Sequence, residues 1–125
     1  MRKNNDKKPL LYIDEMILQQ HHVALGEKKV CDLLQKFYES STKTIHEIDT
    51  AYQLKHFQII SEQAHKLAGT SLMLGFSMLG SYANEVEIMA TNVSMVALGN
   101  KLVSLKQCHL DTMKELKGKT LFFLR

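Results

Sequence analysis

The chain has 125 residues, 45% of them hydrophobic and only one a proline, and carries a net charge of +3. That length suits one domain with a real core and is too short for a kinase catalytic domain with anything beside it. The positive residues gather at the ends, in Arg2, Lys3, Lys7, Lys8 and again in Lys114, Lys117, Lys119 and Arg125. No basic stripe with interleaved aromatics runs through a candidate helix, so nucleic-acid binding is not expected.

Residues 1–9 are polar, aperiodic and closed by Pro9, which predicts a solvated tail or linker. Leucine, isoleucine and methionine recur thereafter at helical rather than alternating spacing, predicting an all-α bundle over 10–118. A first helix is expected from Ile13 to Leu25, with Asp14 and Glu15 at its positive end, Gly26 as its stop, and Ile13, Ile17, Leu18, Val23 and Leu25 as its apolar set. A second, longer helix starts near Glu27 and turns Val30, Leu33, Leu34, Phe37, Ile45 and Ile48 inward. Around Leu54-Lys55-His56 the register resets, and a third helix runs to Leu74, where Gly75 can take the left-handed conformation that ends it. Ser77 is a suitable amino cap for a fourth helix presenting Leu79, Tyr82, Ala83, Val86, Met89 and Ala90. After Asn92 or Ser94 a last helix lines up Met95, Leu98, Leu102, Leu105, Met113 and Leu116. Four helices with short connections form an antiparallel bundle, flanked by the first helix. The structure of 119–125, apolar at Leu121-Phe122-Phe123-Leu124, is not predicted. No apolar run approaches the ~18 residues that cross a bilayer, so no membrane contact is expected of this domain. Cys31 and Cys108 lack metal or redox spacing and read as reduced core residues, which suits a cytoplasmic location.

The third helix holds the informative pattern. Phe57, Ile60, Ala64, Leu67, Ser71 and Leu74 alternate steps of three and four and define a buried stripe. His65 lies roughly 130° from the middle of that stripe and faces water among Gln58, Ser61, Glu62, Ala68, Gly69 and Leu72. Ala68 and Gly69 leave the surface beside the imidazole flat, although an interior glycine costs about 1 kcal/mol against alanine. Close approach by a partner gives that cost a purpose. The other histidines, His21, His22, His46, His56 and His109, read as ordinary surface residues, and no His-Glu-x-x-His pair suggests a metal site.

His65, Leu67, Gly69 and Gly75, with the continuation Gly75-Phe76-Ser77-Met78-Leu79 through Val86-Glu87, resemble the motif of the histidine-containing phosphotransfer (HPt) family of two-component phosphorelays. The specific part of the likeness spans the 25 or so residues from Ala64 to Glu87, within a helical pattern from Ile13 to Leu116. The family often has a lysine three after the histidine. Here that position is Ala68, and Lys66 follows the histidine directly, pointing about 100° away from it.

The resemblance implies that His65 accepts a phosphoryl group from the aspartate of a response-regulator receiver domain and passes it to another receiver, or the reverse, either free-standing or as the last domain of a hybrid sensor kinase. A neutral imidazole is nucleophilic near physiological pH, and phosphoryl transfer needs mostly alignment and charge neutralisation. The chain is expected to bind no cofactor or metal of its own, with Mg²⁺ supplied by the receiver. No phosphate-binding glycine loop is present, so autokinase activity is not expected. Lys66, Gly69 and Gly75 are the supporting residues, and Ser61, Glu62, Ala68, Leu72, Met73, Ile13 and Ile17 the expected docking set. The alternative is a non-transferring adaptor bundle that binds receivers or other proteins through the same face; Ala68 favours it and His65 opposes it. A purely structural bundle leaves Gly69 and Gly75 without a purpose. A monomer is expected, because one bundle consumes all five apolar stripes.

Overall fold

The computed structural model describes residues 10–92 and 94–123, except the side chains of Asn92 and of residues 120–123. The tail expected over 1–9 lies outside the described residues. Five helices follow in order: α1 (Glu15–Leu25), α2 (Glu27–Gln53), α3 (Phe57–Leu74), α4 (Ser77–Asn92) and α5 (Met95–Phe123). The packing pairs are α2 on α3, α3 on α4, α4 on α5 and α5 back on α2, with α1 laid against α2 and α3. Side-chain bonds fix the antiparallel run of α2 against α5: Ser41 meets His109, Asp49 meets Lys106, and the Tyr52 hydroxyl donates to the Met95 carbonyl. The all-α, four-helix bundle with a flanking first helix is the observed fold.

The stripes fill one core. Ile60, Ala64, Leu67, Ser71 and Leu74 of α3 are buried, as are Leu79, Ala83, Val86 and Ala90 of α4 and Leu98, Leu102, Leu105, Met113 and Leu116 of α5. Each large aliphatic side chain so buried contributes about 1.5–3 kcal/mol. Phe57 departs from its expected place: as the first residue of α3 it is exposed rather than buried. The core also takes in Phe76, from the α3–α4 turn, whose ring packs 4.9 Å from that of Phe37.

Local chemistry moves several boundaries. Asp14 is the amino cap of α1 and not part of its first turn, its carboxylate accepting from the Met16 and Ile17 amides. Val23 and Leu25, expected inward, are exposed, because α1 lies on the bundle's flank and buries only part of its circumference. Ser77 does not cap α4. It is the first helical residue, and its hydroxyl both accepts from the Leu11 amide and donates to the Leu11 carbonyl. That carbonyl also accepts from the Met78 amide, so the N-terminal segment supplies the acceptor for an open helix start. At the far end α5 continues helically past Gly118 to Phe123, tied to α1 by Lys119 and Glu15 at 2.7 Å. Among the described residues no helix is long and apolar enough to cross a membrane.

One histidine read as a surface residue belongs to the core. His109 is buried, with Nε2 2.8 Å from the Ser41 hydroxyl, and burial pushes its pKa below the usual 6.5. The folded state then binds fewer protons than the unfolded chain, so the stability held above about pH 6.5 drains away as pH falls below it. Urea denaturation between pH 7.5 and 5 is expected to show this loss, and His109→Asn to flatten it. An equal pH slope in both proteins would remove His109 as its source.

Candidate functional site

His65 sits in the middle of α3 with its side chain 77% exposed. Its Nδ1 lies 2.9 Å from Oε2 of Glu87 on α4, a carboxylate that is 28% exposed. An ionised carboxylate only accepts, so Nδ1 carries the proton and donates. In the neutral ring Nε2 is then the nitrogen that holds the lone pair.

Glu87 reaches the ring because α3 and α4 approach closely. An added Cβ at Gly80 would stand 2.6 Å from Cγ and Cδ2 of Leu72 and 3.4 Å from the Ala68 carbonyl oxygen. The glycine is therefore the seat in which Leu72 rests, while the other side of Leu72 stays half exposed. The turn between the helices is fixed by Gly75 at φ +93°, with the Gly75 amide donating to the Leu72 carbonyl and the Phe76 amide to that of Ser71. Gly75 is also crowded, since a Cβ there would lie 3.0 Å from the Asp14 carbonyl oxygen and 3.2 Å from Ile17 Cβ. Its support for the site is architectural.

Gly69 is the contrasting case. It is exposed, and a Cβ built on it meets nothing within 4 Å. Among the described residues nothing requires glycine there.

The expected surface residues divide. Glu62, Leu72 and Met73 are exposed and Ser61 is half-buried on the same helix as His65, with Glu62 receiving a bond from Gln58 at 3.1 Å. Ile17 is half-buried against Gly75. Ala68 and Ile13 do not belong to an open face. Ala68 is 7% exposed because α4 covers it at Gly80, and Ile13 is 6% exposed, directly before the cap of α1. Lys66 is exposed and lines a groove between α2 and α3 with Lys36, Lys43 and Gln63, so it leans toward α2 while the imidazole turns toward α4. Among the described residues no cluster of three or more histidine, cysteine or acidic side chains is arranged to hold a metal ion.

Two residues of the site were not singled out from sequence. Glu87 stood at the end of the motif with no role, since only the packing of α3 on α4 brings it to a residue 22 positions earlier. Gly80, inside α4, was the visible signal of that packing.

The family model for the Hpt domain matches residues 32–116, more than half of the chain. The chain belongs to the Hpt domain family. Histidine phosphotransfer in two-component phosphorelays, in company with receiver domains, is accordingly its function. No curated protein matches the sequence. Among solved structures it is similar to histidine-containing phosphotransfer protein B (HptB) from Pseudomonas aeruginosa PAO1, with a TM-score of 0.84 at 18% identity over 92% of this chain and 99% of that one. At that identity the likeness speaks for the fold.

The two site glycines are expected to respond oppositely to alanine. Gly69→Ala should raise unfolding stability by up to about 1 kcal/mol through helix propensity alone. Gly75→Ala should lower it by roughly 1–3 kcal/mol through its left-handed backbone and the contacts with Asp14 and Ile17. Urea denaturation of the two variants checks both signs.

Proposed function

We propose that His65 is the residue that carries the phosphoryl group, on Nε2, between the aspartates of receiver domains. The observation that carries this is the ring's arrangement: an exposed imidazole whose inner nitrogen is engaged by Glu87 and whose outer nitrogen faces solvent. A receiver brings the aspartyl phosphate and Mg²⁺, so His65 has only to present a lone pair in line. Gly69 offers an unobstructed approach to its own turn of α3, and Leu72 and Met73, 50% and 56% exposed, offer apolar contact two turns further on. Ser61, Glu62 and Ile17 complete the docking face in this reading.

Lys66 substitutes only in part for the family lysine. A charge on the α2 side of the helix can swing toward a bound phosphoryl group on its flexible stem, but most neutralisation is left to the receiver's metal and basic groups. The setting this reading implies is a monomeric bacterial protein or domain in the cytoplasm, free-standing or carried by a hybrid sensor kinase. Flow runs in either direction.

Receiver domains of the source organism, phosphorylated and screened as a panel, are expected to place acid-labile phosphate on the wild type and none on His65→Gln. Receiver binding without transfer would favour the adaptor reading. In the same assay Lys66→Ala is expected to slow transfer by a few-fold, in keeping with an exposed and incompletely desolvated charge. An unchanged rate would show that the lysine takes no part.

A further inference from the structure

We infer that the groove between α2 and α3, on the side of His65 away from α4, is a recognition site for an acidic polypeptide segment, and that its occupant is the acidic rim of the receiver's metal pocket. The receiver as occupant rests on the reading of His65 as the phosphoryl carrier; the groove and its charge do not.

Both helices contribute basic side chains there. Lys36 and Lys43 are seven apart and so share one face of α2, and Gln63 and Lys66 are three apart on the facing side of α3. Lys66 follows His65 directly, so the groove begins beside the imidazole, whose inner nitrogen is turned the other way, to Glu87. Lys101, Lys106 and Lys119 each close on a carboxylate, at 2.6, 3.0 and 2.7 Å. Glu39 and Glu47 line this groove too, yet none of its three lysines forms an ion pair among the described residues. Glu39 instead accepts from the Gln35 amide. Three ammonium groups against two carboxylates leave the groove with a positive excess, which an anion from outside relieves.

Gln63 selects the kind of anion. Its Oε1 is buried and receives no hydrogen bond. Inorganic anions bring mainly acceptors and leave that oxygen unsatisfied, whereas a peptide brings carboxylates for the lysines and N–H groups for Gln63. A receiver holds its Mg²⁺ with carboxylates, so the surface that must come over His65 is ringed by negative charge. Glu87 repels such a rim on one side of the ring and the lysines attract it on the other. The groove thereby orients the approach, and its effect falls on association rather than on transfer within the bound complex.

The first test is transfer from phosphorylated receivers of the source organism to the full chain, at about 20 mM and about 300 mM salt. Lys36→Glu combined with Lys43→Glu is expected to raise KM on the order of tenfold at low salt, to leave kcat within about twofold, and to lose most of the difference at high salt. Lys28→Glu combined with Lys29→Glu makes the same change of net charge at the exposed first turn of α2, outside the groove, and is expected to move KM by less than about threefold. An equal rise of KM in both variants would overturn the inference, since net charge alone would explain it. Phosphoramidate, a small donor with no acidic rim, should label His65 equally in wild type and both variants; a loss there in the groove variant would trace the defect to the site itself and overturn the docking role.

The second test needs no transfer. Hexaglutamate titrated at low salt into the ¹⁵N-labelled chain is expected to shift the amides of Lys36, Lys43, Gln63 and Lys66, and to lose this effect in the groove variant. Shifts that are absent, or as strong at Lys28 and Lys29, would overturn the inference, as would the same shifts with inorganic phosphate, which mark a simple anion site. These outcomes stand whether or not His65 accepts phosphate from any receiver.

Discussion

The close approach of α3 to α4 is the constraint on which the site depends. Two side chains are missing or small where the helices meet, at Gly80 and Ala68, and the gap is filled by one branch of Leu72. A wider separation would still bury Leu67, Val86 and their neighbours in some fashion, since apolar burial is tolerant of small shifts in axis. It would not leave a carboxylate of α4 within hydrogen-bond distance of an imidazole on α3. The hydrophobic core thus sets which helices meet, and the small residues at one crossing set how near, which is the quantity that the chemistry feels.

That crossing is locked from outside by a segment that contributes little to the core. Leu11 supplies its backbone to Ser77 and Met78, and the Asp14 amide donates to the Gly75 carbonyl at 2.7 Å. His21 reaches the Met73 carbonyl at 2.8 Å, so α1 is fastened along the last two turns of α3 by polar bonds rather than by a broad apolar face. This explains why Met16 and Val23 can remain largely exposed without loss of the helix's position. It also explains why Gly75 is doubly constrained: its own left-handed turn and the strand of chain laid over it both exclude a side chain.

Much of the fold was legible because helical periodicity survives wherever a helix has one buried and one wet side. The stripes of α3, α4 and α5 are read correctly almost residue by residue, and the outward direction of His65 follows from the same count. What periodicity cannot show is a contact whose partners are polar and distant in sequence. His109 falls on the buried side of α5, where its ring finds Ser41, and a pattern read only in apolar residues passes over both. Ser77 has the right residue type for a cap, but the groups it serves lie 66 positions away at Leu11. Ala68 was placed on the open surface for a related reason: an angular count takes a helix to have one neighbour, whereas α3 is packed by α2 on one side and by α4 on another.

The burial of Ala68 bears on how charge is handled at the site. A lysine at that position would have to thread its stem past α4 to bring its ammonium to the surface, and in this chain the space it would use is closed by Gly80 and Leu72. The chain keeps its nearest cation, Lys66, in the groove toward α2 and places an anion, Glu87, against the histidine. A carboxylate beside an incoming phosphoryl group is unfavourable in isolation, yet in the proposed reading of His65 it faces the opposite nitrogen of the ring and would meet the positive charge that phosphorylation creates there. In that reading the imidazolium lies between the two anions and meets both. In the proposed reading the chain looks after the ring and the receiver looks after the phosphoryl oxygens, a division that needs no lysine at position 68 and fits a fold that closes over it.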